Sequence, residues 1–328
     1  MGKIIVTGGA GFIGSHIVDA LLAAGHLVEV IDDLSSGRRE NLPVTVPLHV
    51  LDIRSEGARE VIARVRPDTV VHAAAQMSVR LSMEDPTFDT AVNVTGLVNI
   101  ISALRRSRSA TEPAPFCVFL STGGAIYGEQ ETFPATEDHR IMPASVYGLS
   151  KRVGELYLEF WTRELGLPFA ALRLANVYGP RQNPHGEAGV VAIFNQKLLR
   201  GETPTINGSG DQTRDFIYVG DVARAVTAVV TERVSGTFNI GTGRETSVNA
   251  LYTAICRAVG RDPAPKRVPA KAGEQLRSVI DASRATHTFG WRPEVSLDCG
   301  LEATTAWFRE AENITPGGGT TAERCPGS

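Results

Sequence analysis

Tyr147 and Lys151 stand four residues apart in Ser145-Val-Tyr-Gly-Leu-Ser-Lys151, at the head of a stretch with helical periodicity. That separation puts a phenol and an ammonium on one helix face. A free phenol titrates near pH ~10 and is protonated at neutrality. A nearby ammonium favours the phenolate, so the two groups together form a proton-transfer pair. A helix with a buried Tyr and an exposed Lys is the plain alternative, and it wins unless the rest of the chain calls for such a pair.

The first fourteen residues do call for it. Lys3-Ile-Ile-Val6 runs into Thr7-Gly-Gly-Ala-Gly-Phe-Ile-Gly14, and a helical pattern follows. Gly8, Gly11 and Gly14 turn the chain tightly, admit a pyrophosphate to the backbone, and let helix and sheet pack closely. The helix start at Phe12 and Ile13 offers free N–H groups and a positive dipole end to phosphate. Asp32 closes the second apolar run, where a carboxylate accepts from both ribose hydroxyls of a dinucleotide. It would repel a 2′-phosphate, and no arginine follows until Arg38, so NAD is expected rather than NADP. Asp33 fits a turn role better. Asp52 and Ile53 end the third strand, where adenine could dock with the carboxylate on its amino group. Ala73, Ala74 and Ala75 end the fourth and leave room for the cofactor. His72, just before them, reads as a satisfied core histidine.

Strands are predicted at Lys3–Thr7, Leu27–Asp32, 45–51, Thr69–His72 and 116–121, with helices at 12–24, 55–65 and 88–106. This alternation implies an α/β fold, a Rossmann-type doubly wound parallel sheet covered on both faces. A helix at 145–165 and a strand at Phe169–Leu174 complete a dinucleotide-binding domain at 1–175. Beyond the turn-rich loop 179–186, helices are predicted at 190–200, 221–231, Val248–Val259 and 297–310, with short strands near Thr205, Phe216 and Phe238. Residues 176–312 then form mainly a smaller substrate lobe. The chain returns to the sheet near 236–241, so this α/β lobe is interleaved with the first domain. Residues 313–328 have nothing to bury and are expected to be disordered.

The 328 residues carry a net charge of −3, which gives no electrostatic footprint for nucleic acid or membrane. Unbroken apolar runs fall well short of a membrane span. The N-terminus lacks a secretory h-region, and Val6 stands where a myristoylation motif needs Ser or Thr. Cys117, Cys256, Cys299 and Cys325 are scattered without metal-type spacing. No metal site is expected, and a reducing cytoplasm is the simplest location.

Taken together, these residues resemble the extended short-chain dehydrogenase/reductase family, and within it the UDP-glucose 4-epimerase-type nucleotide-sugar epimerases. Its motifs occur in order at 7–14, 32–37, 72–76, 121–128, 147–151, 176–186 and 212–221. The resemblance implies an isomerase of carbohydrate (galactose) metabolism. Tyr147 would take the proton from a sugar hydroxyl, and Lys151 would favour its phenolate and hold the nicotinamide ribose. Thr122 would bond the reacting hydroxyl, and Asn93 would support Lys151. Hydride passes from the sugar C4 to NAD and returns to the other face, so cofactor is regenerated each turnover. Relatives that dehydrate carry Asp-Glu directly after the Thr, and decarboxylating relatives also use an acid nearby. Gly123 and Gly124 stand there instead, which disfavours both outcomes. One departure is that the hydroxyl expected four residues before Tyr127 falls on Gly123, with Thr122 one residue further away.

At the substrate end the resemblance implies Asn176 on the diphosphate or sugar, and Val190 opening a helix toward phosphate. Asn207 would edge the uracil, and Arg214 would clamp the diphosphate in a bidentate manner. Lys271 stands where the family usually has Arg, and Glu274 can hold ribose hydroxyls. Arg277 could compensate for the weaker phosphate ligand. Ser278 matches a position where some relatives carry a bulky Tyr beside the sugar C2 substituent. A small residue there leaves room for an N-acetyl group. The expected substrates are therefore UDP-glucose and UDP-galactose, with UDP-GlcNAc and UDP-GalNAc also accommodated. Rival readings are an epimerase of UDP-glucuronate or a dTDP-hexose, a 4-keto-sugar reductase, or a dinucleotide-binding regulator. The resemblance also implies a homodimer packed through the helices at 88–106 and 145–165.

Overall fold

In the computed structural model, which describes residues 1–109, 111–185, 189–270 and 275–312, the first half alternates strand and helix. β1 (Lys3–Thr7), β2 (Leu27–Asp32), β3 (Leu48–Val50), β4 (Thr69–His72), β5 (Phe116–Thr122) and β6 (Phe169–Leu174) are the strands. Between them lie α1 (Phe12–Ala23), α2 (Glu56–Val65), α3 (Val79–Glu84), α4 (Pro86–Thr90), α5 (Leu97–Arg106), α6 (Gly123–Ile126) and α7 (Val146–Leu165). The third strand is shorter than the predicted 45–51. The helix predicted at 88–106 is one 21-residue run, Pro86–Arg106, interrupted by a π-helical stretch at Ala91–Gly96. By length and composition alone that run could cross a membrane. Its Leu97, Ile100, Ile101 and Leu104 are instead packed into a core against the sheet.

The second half contains β7 (Asn176–Tyr178), α8 (Val190–Leu199), β8 (Thr205–Asn207), β9 (Thr213–Arg214), β10 (Phe216–Tyr218) and α9 (Val219–Glu232). It continues with β11 (Gly236–Ile240), β12 (Thr246–Ser247), α10 (Val248–Val259), β13 (Lys266–Val268), β14 (Arg277–Ser278), α11 (Ser283–Phe289) and α12 (Leu297–Ala311). The predicted helices are all present to within two residues at each end. Strands β7, β9, β12, β13 and β14 and helices α3, α6 and α11 had no clear periodic signal, because two- to seven-residue elements are too short to display one.

The main sheet has seven strands in the order β11-β6-β5-β4-β1-β2-β3, and every pairing is parallel. The chain reverses direction across the sheet between β1 and β4, the switch point where such folds bind ligands. Side chains alternate between two cores. Phe116, Val118 and Leu120 of β5 join the core under α1 and α9, and Cys117 and Phe119 join the one under α2, α5 and α7. Both β5 and β6 are buried along their whole length, as interior parallel strands must be.

The interleaving runs deeper than one return strand. Val222, Val226 and Val229 of α9 share a core with Ile17 and Leu21 of α1, so α9, β11 and α11 belong to the main sheet's layers. The second lobe has its own core, in which Phe194, Leu198, Leu251, Ile255 and Leu301 join α8, α10 and α12. Cys117 and Cys256 are buried free thiols. Residues 313–328 and the substrate-site candidates Lys271 and Glu274 lie outside the described residues.

Candidate active site

The turn after β1 is shaped for close approach. Gly8 has φ +69°, a left-handed conformation that glycine adopts without penalty. A Cβ there would come within 2.6 Å of the Ala74 backbone nitrogen, and a Cβ on Gly14 would come within 2.0 Å of the Gly8 carbonyl oxygen. Gly11 caps α1 without any side-chain hydrogen bond, so the helix start at Phe12 and Ile13 keeps backbone N–H groups for a ligand. This is a cradle that side chains would fill, and it fits a pyrophosphate.

Asp32 lies across the turn, 6% exposed. One carboxylate oxygen accepts from Ala10 N at 2.9 Å and the other from Leu34 N at 2.9 Å. Burial raises its pKa, against the pull of those N–H groups. With Gly11 N–H also turned toward it, the carboxylate keeps acceptor capacity for a ribose hydroxyl. Ala73 and Ala74 hang from β1, with Ala73 N donating to Thr7 O at 3.0 Å and Ala74 N to Thr7 Oγ1 at 3.4 Å. Ala75 follows them, half-buried. His72 is buried, 2.9 Å from Thr7 Oγ1 through Nδ1, stacked on Phe119, and held down to a pKa of about 3 by burial and Lys151. It is the core histidine expected.

Two cofactor-side expectations need correction. The Asp52 carboxylate is engaged by Arg54 through Nε at 2.9 Å and Nη2 at 2.5 Å, and that bond depresses its pKa. The adenine amino group would have to share it, while Ile53 is buried against Gly96. Asn93 does not reach Lys151. Its amide exchanges bonds with the Gln76 backbone at 2.9 and 2.8 Å, and also reaches Asp89 at 3.0 Å and Ser150 at 3.2 Å. It sits in the π-helical stretch, an irregularity that re-aims side chains at functional sites, and it clamps the turn after β4.

Ser145 caps α7 by accepting from Gly148 N at 3.1 Å, a bond worth about 1 kcal/mol, and so fixes where the helix begins. A Cβ at Gly148 would meet Ala125 O at 2.5 Å and one at Gly154 would meet the Phe119 ring at 2.8 Å. Those two glycines let α7 lie directly on β5 and α6. Lys151 is thereby 3% exposed, donates to Leu120 O at 2.9 Å, and stands 5.9 Å from the Tyr147 ring centroid. Burial lowers its pKa to about 8, against Asp89 and Glu155. Thr122 ends β5, caps α6 by accepting from Ala125 N at 3.1 Å, and lies near enough to the Tyr147 phenol to draw its pKa down. The one-residue offset in the sequence therefore does not remove it from the site.

In the polypeptide alone, burial dominates the phenol even with the Lys151 ammonium 5.9 Å from its ring centroid. Burial first, and then Asp89, push Tyr147 up to about 12, with only Thr122 pulling it down.

Asn176, in β7, lies across from this group. A Cβ on Gly124 would stand 3.6 Å from Asn176 Oδ1 and 4.0 Å from Thr122 Oγ1, so position 124 opens into the site. Gly123 instead packs on Ile280. Asn176 N donates to Asp215 O, and Asp215 N to Ser278 O, both at 2.9 Å. Asp215, absent from the sequence candidates, is buried and held by Thr242 Oγ1 at 2.6 Å. It ties β7, β10 and β14 together.

In the β9–β14 pairing, Ser278 opposes Arg214 and Arg277 opposes Thr213. Neighbours along a strand point to opposite faces. Arg277 and Thr213 share the face on which Glu245 accepts from Thr213 Oγ1 at 2.6 Å and from Arg277 at 3.0 and 2.5 Å. Arg277 also lies 3.7 Å over the Phe133 ring. Its guanidinium fork is taken, so the expectation that it compensates at phosphate is corrected. Arg214 and the buried Ser278 share the other face. Val190 opens α8 behind a Gly189 cap with no side-chain bond. Asn207 pairs with Val268 of β13, and its carbonyl accepts from Gln212 at 3.2 Å, so one edge of β8 is already used.

Sequence reasoning also missed Glu155, fully buried, which accepts from Ser121 Oγ at 2.6 Å and from Arg173 at 3.0 and 2.8 Å. Its spacing of four from Lys151, on one helix face, was the available signal.

Fold and site together define a short-chain dehydrogenase/reductase of the extended type. The sequence pattern of the NAD dependent epimerase/dehydratase family matches residues 4–241, and the chain belongs to that family. It is 43% identical over 316 residues to the UDP-glucose 4-epimerase of Mycolicibacterium smegmatis, covering 94% of this chain and 98% of that protein. The crystal structure of UDP-glucose 4-epimerase with UDP-glucose from Thermotoga maritima has a TM-score of 0.90 at 43% identity, covering 94% of this chain and 99% of that one. The UDP-glucose 4-epimerase of Thermus thermophilus, solved in complex with NAD, has a TM-score of 0.87 at 42% identity, again covering 94% and 99%.

Proposed function

We propose that this protein is an NAD-dependent nucleotide-sugar 4-epimerase acting on UDP-glucose and UDP-galactose. The observation that carries the reading is the cluster at the end of β5: Thr122 near the Tyr147 phenol, a buried Lys151 5.9 Å from the Tyr147 ring centroid, and two glycines where acids would stand. When bound, NAD supplies the hydride acceptor and donor and a positively charged ring. Tyr147 removes the proton from the sugar C4 hydroxyl and later returns it, and Thr122 orients that hydroxyl. Lys151, anchored on Leu120 O, holds its ammonium beside the phenol. Gly123 and Gly124 offer no acid or base to C5 or C6, so the keto sugar has no path to dehydration. Arg214 binds the diphosphate, and Asn176 orients the sugar from the opposite side.

Ser278, buried and in register with Arg214, leaves room at the sugar C2 substituent, and we extend the proposal to UDP-GlcNAc and UDP-GalNAc. We also propose a homodimer, because Leu149, Leu156, Tyr157 and Phe160 form an exposed apolar stripe along α7, with Phe88 of α4 also exposed. The test is turnover of a panel of UDP- and dTDP-sugars by purified protein with no NAD added. Interconversion of UDP-glucose and UDP-galactose is expected. Turnover that requires added NADH would favour a reductase and sink the epimerase reading.

A further inference from the structure

Asp89 of α4 is completely buried, and nothing in the mechanism uses it. One carboxylate oxygen accepts from Gln76 Nε2 at 2.9 Å and Asn93 Nδ2 at 3.0 Å. The other, Oδ1, has no hydrogen-bond partner among the described residues. A buried ionised carboxylate is costly unless a charge compensates it. The candidate cations are few. Arg54 lies over the Phe88 ring on the outer side of α4, and its charge is matched by Asp52. Arg173 is held by Glu155 at 2.8 Å, and Arg80 of α3 pairs with Glu84 at 3.0 Å. Lys151 remains.

The hydrogen bonds around Asp89 join both halves of the site. Gln76 ends the Ala73–Ala75 turn, and its backbone is clamped by Asn93. The same Asn93 amide reaches Ser150 at 3.2 Å, and Ser150 donates to Tyr147 O at 3.0 Å.

We propose that Asp89 is a positioning residue for the reaction: its buried carboxylate ties the turn after β4 to the Tyr147–Lys151 helix and serves as the counter-charge of the Lys151 ammonium. Its field favours the charged lysine and opposes ionisation of the phenol. Asp89 thus keeps charged the ammonium that stands 5.9 Å from the Tyr147 ring centroid. The other groups facing the pair are Glu155 on α7, which also favours the ammonium, and His72 on β4, which stays neutral. Asp85, at the start of α4, is exposed, and the π-helical stretch carries no charge.

This inference rests on the epimerase reading for its activity measurement only. The primary test is an NMR titration of the lysine ammonium groups in the purified holoprotein, with Lys151 assigned through Lys151→Arg. In Asp89→Asn, which keeps the shape and removes the charge, the Lys151 midpoint should fall by about one pH unit or more. Both limbs of the kcat profile should move to lower pH, because the phenol and the ammonium each lose the charge that raised them. A folded Asp89→Asn protein with an unmoved Lys151 midpoint would overturn the proposal, as would a uniform loss of kcat with unshifted limbs. Asp89→Glu, which keeps the charge, should retain the wild-type midpoint, and a fall like that of the Asn variant would count against the counter-charge. If the wild type converts no nucleotide sugar, the epimerase reading fails while the lysine titration still decides the role of Asp89.

Discussion

The two ends of the site are built on different principles. The dinucleotide end is nearly all one strand–turn–helix unit, Lys3–Thr7 into Phe12–Ala23, completed by an acid at the end of the next strand. The proposed sugar-nucleotide end would collect Asn176, Arg214 and Ser278 from three short strands held together through the backbone of Asp215. A local unit is dictated by the chemistry of adjacent residues, chiefly where glycine is obligatory. A collected site depends on which strand face each residue occupies, and that is fixed only by pairing. Arg214 and Arg277 make the point. Both are arginines in plausible motifs, yet one shares a strand face with the buried Ser278 while the other is bound to Glu245 over Phe133.

The contrast can be broken or sharpened by substitution, beginning where the two ends meet. Tyr147→Phe should lower kcat by about 10³-fold, the scale of a lost general base, in a steady-state epimerase assay. Full turnover would end every catalytic version of the site. Glu155→Ala strands the buried Arg173 charge and should cost about 3–5 kcal/mol, read by urea unfolding. At the dinucleotide end, Gly14→Ala forces a methyl onto the Gly8 carbonyl and should cost about 1–3 kcal/mol. It should also strip bound NAD, measured by absorbance of the protein's acid supernatant. At the other end, Arg214→Ala should raise the KM for UDP-galactose by about 10- to 100-fold, from charge-assisted bonds of about 1.5–3 kcal/mol. Arg277→Ala should leave KM within about twofold, since an exposed ion pair contributes about 0–1 kcal/mol. Equal effects at 214 and 277 would refute the assignment of strand faces.

The acid–base pair also sets a pH expectation. Lys151 titrates at about 8 in this environment, so its positive charge is present below that pH and is lost as pH rises through it. Turnover should decline on the alkaline side accordingly, and kcat measured from pH 6 to 10 checks it.

Most of the fold was legible because its long helices and buried strands carry clear periods. The glycine turn, Asp32, and the Tyr147/Lys151 pair were legible for the same reason: each depends on neighbours within one element. Thr122 was ambiguous by count, since a one-residue offset has no visible consequence until α6 forms on its hydroxyl at the end of β5. The bonds Asn93 makes to Gln76, Asp89 and Ser150 were not legible, because the π-helical stretch that aims it has no sequence signature. Asp89 and Asp215 were invisible, as a lone acid in a polar stretch is more often a solvated surface residue.

The sequence by itself determined the doubly wound sheet, the dinucleotide turn and the proton-transfer pair, because hydrophobic period and glycine sterics act over a few residues. Tertiary structure decided which strand faces Arg214 and Arg277 occupy and that Asp89 is buried in the network joining Gln76 and Asn93. It also decided that the phenol is harder, not easier, to ionise in the polypeptide alone. Burial and through-space charge depend on where distant segments come to rest, and no local spacing encodes that.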